Sequence, residues 1–325
     1  MRYEPQGERE FNCRITSRVS SRHLKFADVT IHHIGSPPKR SLNGRPYLRV
    51  FYTGESNQTN QLTNNEANQR LFGIIVSFHL HRQYHFTWTH RQQPHFMSIL
   101  HGNRNNEDAT SGATWSAWKQ RQSAVAAFGS SCRANRQKVF SRLSKNYSVH
   151  NYGACGDSHP LPSECAAVVG RYPQKLCVFR KYKYAVAFEN TKEVDYVTEK
   201  VYHALLSGTV PLYWGIPNID DFVPMGRSSF VDVEPFIPGM LGDLSTVSET
   251  SGEEEEEEEG FRRLGQYLKQ LEFDEVAVRH LFAWRSVTHA EEWGERFLNN
   301  MYHTDPVCAI CAETRKKRGI VLRHK

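Results

Sequence analysis

One stretch of about fifty residues limits the fold more than anything else in the chain. Residues 184–188 form an unbroken apolar run bounded by polar residues. Residues 197–206 then repeat their apolar positions at helical spacing and stop at Gly208, and residues 209–214 are apolar again. Strand, helix and strand joined by tight turns make a βαβ unit, whose two strands run parallel in a sheet covered on both faces. The pattern therefore predicts an α/β domain. Weaker signals of the same kind predict strands at 27–34, 47–52, 72–78 and 123–130, and helices at 133–143, 261–271 and 273–284. Residues 57–69 are rich in Asn and Gln and read as loop, whereas 79–111 carry little periodic signal.

A length of 325 residues allows one or two domains with sizeable cores. No apolar run approaches the roughly 18–20 residues of a membrane span, and the polar start resembles no signal peptide. The net charge of +6 hides a split: residues 1–150 hold 21 Lys and Arg against 8 Asp and Glu, and the remainder 20 against 27. Such a basic half suits an anionic ligand as well as a solvated face. No helix-turn-helix, zinc-finger or RNP-type pattern accompanies it, so nucleic acid is not expected. The run Glu253 to Glu259 reads as the centre of a disordered acidic insertion at 245–260. No metal is expected: the 16 His lack ligand spacing, Asp220 and Asp221 are adjacent and suit a turn, and Cys308-Ala-Ile-Cys311 has no second pair. That pair reads as a disulfide or as buried thiols. Asn57 and Asn146 head glycosylation sequons, which nudge toward a secretory compartment.

Chemistry concentrates in the βαβ stretch. Its first strand delivers Glu189 and Asn190 to the C-terminal sheet edge, where open α/β sheets bind ligands. A polar loop leads to Tyr196, Glu199 and Lys200 at the start of the helix, whose free N–H groups suit phosphate. Adjacent helical residues point about 100° apart, so Lys200 suits a diphosphate and Glu199 sugar or ribose hydroxyls. In isolation the two would be a dipole acid and a surface charge.

They are not isolated. Phe188-Glu189-Asn190, Asp195-Tyr196-Val197-Thr198-Glu199-Lys200, Ala204-Leu205, Gly208-Thr209-Val210-Pro211, Tyr213-Trp214-Gly215 and Ser229-Phe230-Val231 resemble, in order and spacing, the signature of the α1,3-fucosyltransferases, glycosyltransferase family 10. Ser130-Ser131-Cys132 with Asn135-Arg136, and residues 149–155, resemble the opening of that family's donor domain. Ala27-Asp28-Val29, His33 and Gly54-Glu55-Ser56 are similar to its acceptor domain, with a poor match at 79–111.

The resemblance implies a GT-B fold of two Rossmann-like domains facing across a cleft. An acceptor-side domain would span 1–120 and a GDP-fucose domain 121–305, followed by the CxxC and basic tail at 306–325. It also implies that the first domain's opening strand, the stem and the membrane anchor are missing, and that the enzyme belongs in the Golgi lumen as a type II membrane protein with its tail held by a disulfide. The reaction implied is inverting transfer of L-fucose from GDP-β-L-fucose to the 3-hydroxyl of N-acetylglucosamine, in an N-glycan or lactosamine acceptor. Glu55 would be the base, and Arg136 and Lys200 would clamp the diphosphate. Tyr196 would lie against the nucleotide sugar, Glu199 would meet hydroxyls, and Glu189 and Asn190 would touch fucose or order the loop. Tyr213-Trp214-Gly215 reads as core and turn. No cofactor is required on this reading, a divalent metal being at most stimulatory. The alternatives are transfer of another GDP-sugar, or an inactive protein that binds nucleotide or glycan.

Overall fold

The structure, a computed structural model, describes residues 29–32, 48–54, 72, 74–80, 84–105, 112–129, 134–153, 158–238 and 251–303, together with 306, 308, 310 and 311. The chain divides into two compact units, Met1–Phe86 with Thr304–Lys325, and Thr87–His303. Among the described residues no helix is long and apolar enough to cross a membrane.

The first unit holds a parallel four-stranded sheet in the order β1 (Val29–His32), β2 (Leu48–Tyr52), β3 (Ile74–Ser77) and β4 (Tyr84–His85). Among the described residues, Val50, Phe51, Ile74, Val76, Phe78 and Phe86 are its buried apolar residues. The β-branched and aromatic runs read as strands from sequence are therefore strands in the structure. The end of β2 is tied down, because Thr53 donates its N–H to the Val76 carbonyl at 3.0 Å and Tyr52 stacks on Phe86 at 5.0 Å. The expected missing opening strand falls outside the described residues.

The second unit is built on a parallel sheet of β5 (Gln122–Ala127), β6 (Val149–Asn151), β7 (Tyr182–Phe188), β8 (Val210–Trp214) and β9 (Val231–Asp232), in the order β6-β5-β7-β8-β9. All seven residues of β7 are buried, as a central strand covered on both faces must be. One face packs on α2 (Gly112–Lys119), α3 (Ala134–Ser144), α7 (Ser251–Leu271) and α8 (Glu275–Leu281), through Trp118, Leu143, Leu264, Leu268 and Val278. The other packs on α4 (Ser163–Ala166), α5 (Arg171–Phe179) and α6 (Glu199–Leu206), through Cys165, Phe179 and Ala204. A Cys165–Cys177 disulfide joins α4 to α5.

Helix α6 ends where Gly208 takes φ +64, and Arg121 and Arg285 cap it. Arg121 Nη1 donates to the Ser207 carbonyl at 3.2 Å and Arg285 Nη1 to the Leu205 carbonyl at 2.9 Å. Guanidinium charge meets the negative helix end there. A Cβ at position 208 would sit 3.1 Å from Arg121 Nη2 in a left-handed backbone. Gly208→Ala is therefore expected to lower the urea midpoint, by about 1 kcal/mol of stability or more.

Two expectations are corrected. The boundary lies at residue 86, not near 120, and the tail at 304–325 groups with the first unit. Residues 88–105 form α1 (Trp88–Asn105), which packs within the second unit. Phe96 meets Tyr202, Trp284, Trp293 and Phe297 edge-on at 5.2–6.4 Å, and Thr89 hydrogen-bonds Tyr202 at 2.6 Å. The second correction concerns the acidic run, which is the first half of α7 rather than a disordered insertion. Glutamate is a good helix former. The basic face of α3 also meets the run, Lys138 pairing with Glu257 at 3.4 Å, Arg142 with Glu254 and Glu257, and Lys145 with Glu258 at 3.4 Å.

Candidate functional site

The strand order fixes where a ligand belongs in the second unit. The chain leaves β5 for β6 on one side and returns to β7 on the other, so the topology reverses between β5 and β7. Parallel sheets of this order bind ligands at the C-terminal ends of the two strands flanking the reversal. Helix α3 follows β5 on one face, and α6 follows β7 on the opposite face. Their N-termini both open toward that edge. Arg136 is in the first turn of α3, and Lys200 is the second residue of α6.

Glu189 organises the edge. Its side chain is fully buried at the tip of β7. Oε1 accepts the Thr198 backbone N–H at 2.8 Å, and Oε2 accepts from Thr198 Oγ1 and Lys200 Nζ, each at 2.8 Å. The carboxylate thus caps the start of α6 from outside the helix. Lys200 also donates to Thr198 Oγ1 at 2.7 Å, so two of its three N–H groups are held inside this knot. Gly215 makes room for it, since a Cβ there would lie 3.0 Å from Glu189 Cγ and 2.3 Å from the Tyr213 hydroxyl. The intervening loop is pinned by Asp195, which takes φ +69 and accepts from Asn218 Nδ2 at 2.9 Å.

Of the residues singled out from sequence, the structure brings Glu189, Asn190, Tyr196, Glu199 and Lys200 to this edge. Glu189 is bonded to Thr198, at the end of the loop, and to Lys200. Tyr196 is buried in the loop, its hydroxyl 3.5 Å from Asn190 Nδ2. Glu199 is half-buried at the head of α6, and its carboxylate makes no hydrogen bond or ion pair with another described side chain. Burial would raise its pKa, but Lys200 and Lys175, with its own backbone N–H, outweigh burial and hold it below the usual range. Tyr213 and Trp214 are buried core, as their pattern suggests. Asp220 and Asp221 pair with Arg227 and Arg296, the former at 3.2 Å and the latter at 3.1 Å. Glu55 and the side chain of Arg136 lie outside the described residues. Lys175, on α5 beside α6, is a neighbour that no motif announces: its importance comes from helix packing alone.

The two parallel sheets, the second with helices on both faces and a topology reversal between β5 and β7, define an α/β architecture of the GT-B kind. Residues 118–249 match the family model "Glycosyltransferase family 10 (fucosyltransferase) C-term". An α-(1,4)-fucosyltransferase of Arabidopsis thaliana is 26% identical over 303 residues, covering 90% of this chain and 63% of that protein. A GDP-fucose protein O-fucosyltransferase 3 of Mus musculus is 25% identical over 191 residues, covering 55% of this chain and 35% of that protein. The chain thus spans less than two thirds of these curated relatives. In fold it is similar to a crystal structure of an α1,3-fucosyltransferase, with a TM-score of 0.54 and 18% identity over 90% of this chain and 78% of that one.

Proposed function

We propose that the protein transfers L-fucose from GDP-β-L-fucose, with inversion, to the 3-hydroxyl of N-acetylglucosamine in a glycoprotein glycan, and that it works in the Golgi lumen. The observation that carries this reading is the Glu189–Thr198–Lys200 knot. It presents one remaining lysine N–H beside the α6 N-terminus, within the stretch matched to the fucosyltransferase family. In the reaction Glu55 takes the acceptor hydroxyl proton as the oxygen attacks the anomeric carbon. The bond from that carbon to the GDP oxygen breaks, and GDP leaves as an anion against Arg136 and Lys200. With cations holding the diphosphate, the leaving group needs no acid and the reading requires no metal. Glu199 accepts hydroxyls of the ribose or the sugar.

Relatives named as protein O-fucosyltransferases support a second reading of the acceptor alone, a hydroxyl on a protein side chain. The test incubates the protein with GDP-fucose or GDP-mannose and a panel of chitobiose, lactosamine and folded-protein acceptors. Transfer of fucose to the 3-position of N-acetylglucosamine is expected; transfer only to a protein hydroxyl would replace the acceptor, and turnover of GDP-mannose alone would overturn the donor. Lys200→Ala is expected to weaken GDP binding about 10- to 100-fold by calorimetry, the worth of one charged hydrogen bond. Unchanged affinity would remove Lys200 from the donor site.

A further inference from the structure

We propose that Lys175 is a donor-binding residue whose ammonium meets the diphosphate of the bound nucleotide, an inference that rests on the donor reading above. Four observations converge on it. First, α5 and α6 lie side by side on one sheet face and both begin at the ligand edge, with the Tyr172 and His203 rings 5.3 Å apart. Second, Lys175 is half-buried, yet its ammonium makes no hydrogen bond or ion pair with any described residue and meets only the Phe179 ring, 5.3 Å from Nζ. Third, the Glu199 carboxylate beside it also lacks a side-chain partner, although the two attract electrostatically. Fourth, His203, one turn further along α6, is 93% buried and its Nδ1 has no hydrogen-bond partner. Partly desolvated polar groups left unpaired together mark a place where a ligand completes the bonding.

The charge balance assigns the ligand's part. Lys200 is bonded to the fully buried Glu189, which largely offsets its charge toward an incoming anion. Lys175 has no such carboxylate bonded to it, so it has more net charge to offer a diphosphate. Glu199, an acceptor only, suits a hydroxyl and repels the phosphates.

The neighbours also make this lysine titrate where binding can be measured. Burial lowers its pKa to about 8, assisted by Lys200 and Arg171 and opposed by Glu199 and Glu189. Two of the groups facing it stay fixed over pH 7–9. His203 is pushed down to about 4 by burial, then Lys175, against Glu199, with Lys200 and His95 lowering it further. Glu199 is held ionised. An anion bound to Lys175 raises its pKa, so binding near pH 8 takes up a proton and weakens as the pH rises.

Calorimetry of the full chain with GDP and with inorganic pyrophosphate, at pH 7, 8 and 9 and in two buffers of different ionisation enthalpy, tests this. For the wild type, affinity is expected to fall by up to about tenfold from pH 7 to pH 9, with proton uptake at pH 8. Lys175→Met is expected to bind about tenfold more weakly at pH 7 and to lose both the slope and the uptake, with an unchanged melting curve. Lys175→Arg is expected to keep the affinity and lose the slope. Wild-type GDP binding without proton uptake, or Lys175→Met matching the wild type, would overturn Lys175 and leave the donor reading intact. Lys175-dependent binding of pyrophosphate but not of GDP would overturn the guanosine reading and keep Lys175. Binding of neither probe would overturn both.

Discussion

Glu55→Gln is expected to lower fucose turnover by about 10²–10⁴-fold, the range over which a positioned base acts, while GDP affinity stays unchanged. The contrast follows from the division of roles. On the proposed reaction the base acts on the acceptor hydroxyl, whereas the charge of the departing GDP falls on Arg136 and Lys200. Gln keeps the size and one acceptor oxygen but cannot take the proton. The backbone leading to this position is well fixed: β2 ends in the Thr53–Val76 hydrogen bond, and a Cβ at Gly54 would lie 2.9 Å from the Phe86 ring. Gly54→Ala should therefore disturb the approach to Glu55 without removing the carboxylate. Steady-state kinetics with GDP-fucose, alongside GDP calorimetry, separates the two effects. Turnover retained within tenfold in Glu55→Gln would remove it as the base and return that role to an unassigned group.

How far the sequence speaks depends on whether a residue's role is set by its neighbours along the chain or across it. Strands β5, β7 and β8 and helix α6 are local patterns: apolar runs of strand length, a helical repeat and a glycine stop. Their pairing into one parallel sheet follows from their order. That Glu189, Asn190, Tyr196, Glu199 and Lys200 would come together was legible for the same reason, being held within fifteen positions by a strand tip and a helix start. Which groups Glu189 bonds was not legible, because its contacts with Thr198 and Lys200 depend on how the loop folds back. Helix α1 was hidden by its composition: Pro94 lies within it, the mean hydropathy is low, and only Phe96 and Leu100 are buried apolar residues of its inner side. Aromatic partners near residues 202, 284, 293 and 297 make it a helix. The acidic run misled in the opposite way. Read alone it is self-repelling, but it continues into Phe261, Leu264 and Leu268 and faces a basic helix. Lys175 follows the same logic, since its neighbour Glu199 is 24 positions away in the chain.

The N-terminal sheet edge, opposite the ligand edge, carries the largest expected stability effect. Glu272, at the end of α7, accepts from Lys183 Nζ at 2.5 Å, from Ser123 Oγ at 2.6 Å and from the Tyr147 hydroxyl. Lys183 is nearly buried in β7, and its ammonium also sits 5.3 Å over the Trp118 ring. Removing one partner of a buried pair strands the other, which costs about 3–5 kcal/mol, whereas replacing both by apolar groups is often neutral. Glu272→Leu is accordingly expected to lose about that much stability in urea, and Glu272→Leu with Lys183→Met to recover most of it. Acid titration supplies an independent arm. Burial works to raise the Glu272 pKa, but the bonds from Lys183, Ser123 and Tyr147 outweigh it and hold the group below the ordinary glutamate range. A depressed carboxylate stabilises the fold above its unfolded pKa, and that contribution is lost as the pH falls through the folded value. The wild type should therefore lose stability steeply below the ordinary glutamate range, and the double variant less steeply. A single variant as stable as the wild type, or a double variant no better than the single, would show that the network contributes little to the fold. If both behave as expected, α7 is anchored at its two ends by different chemistry. Half-buried and exposed pairs with α3 hold the acidic start, the exposed Lys145–Glu258 pair being worth little, whereas one desolvated cluster fixes the end against β5 and β7.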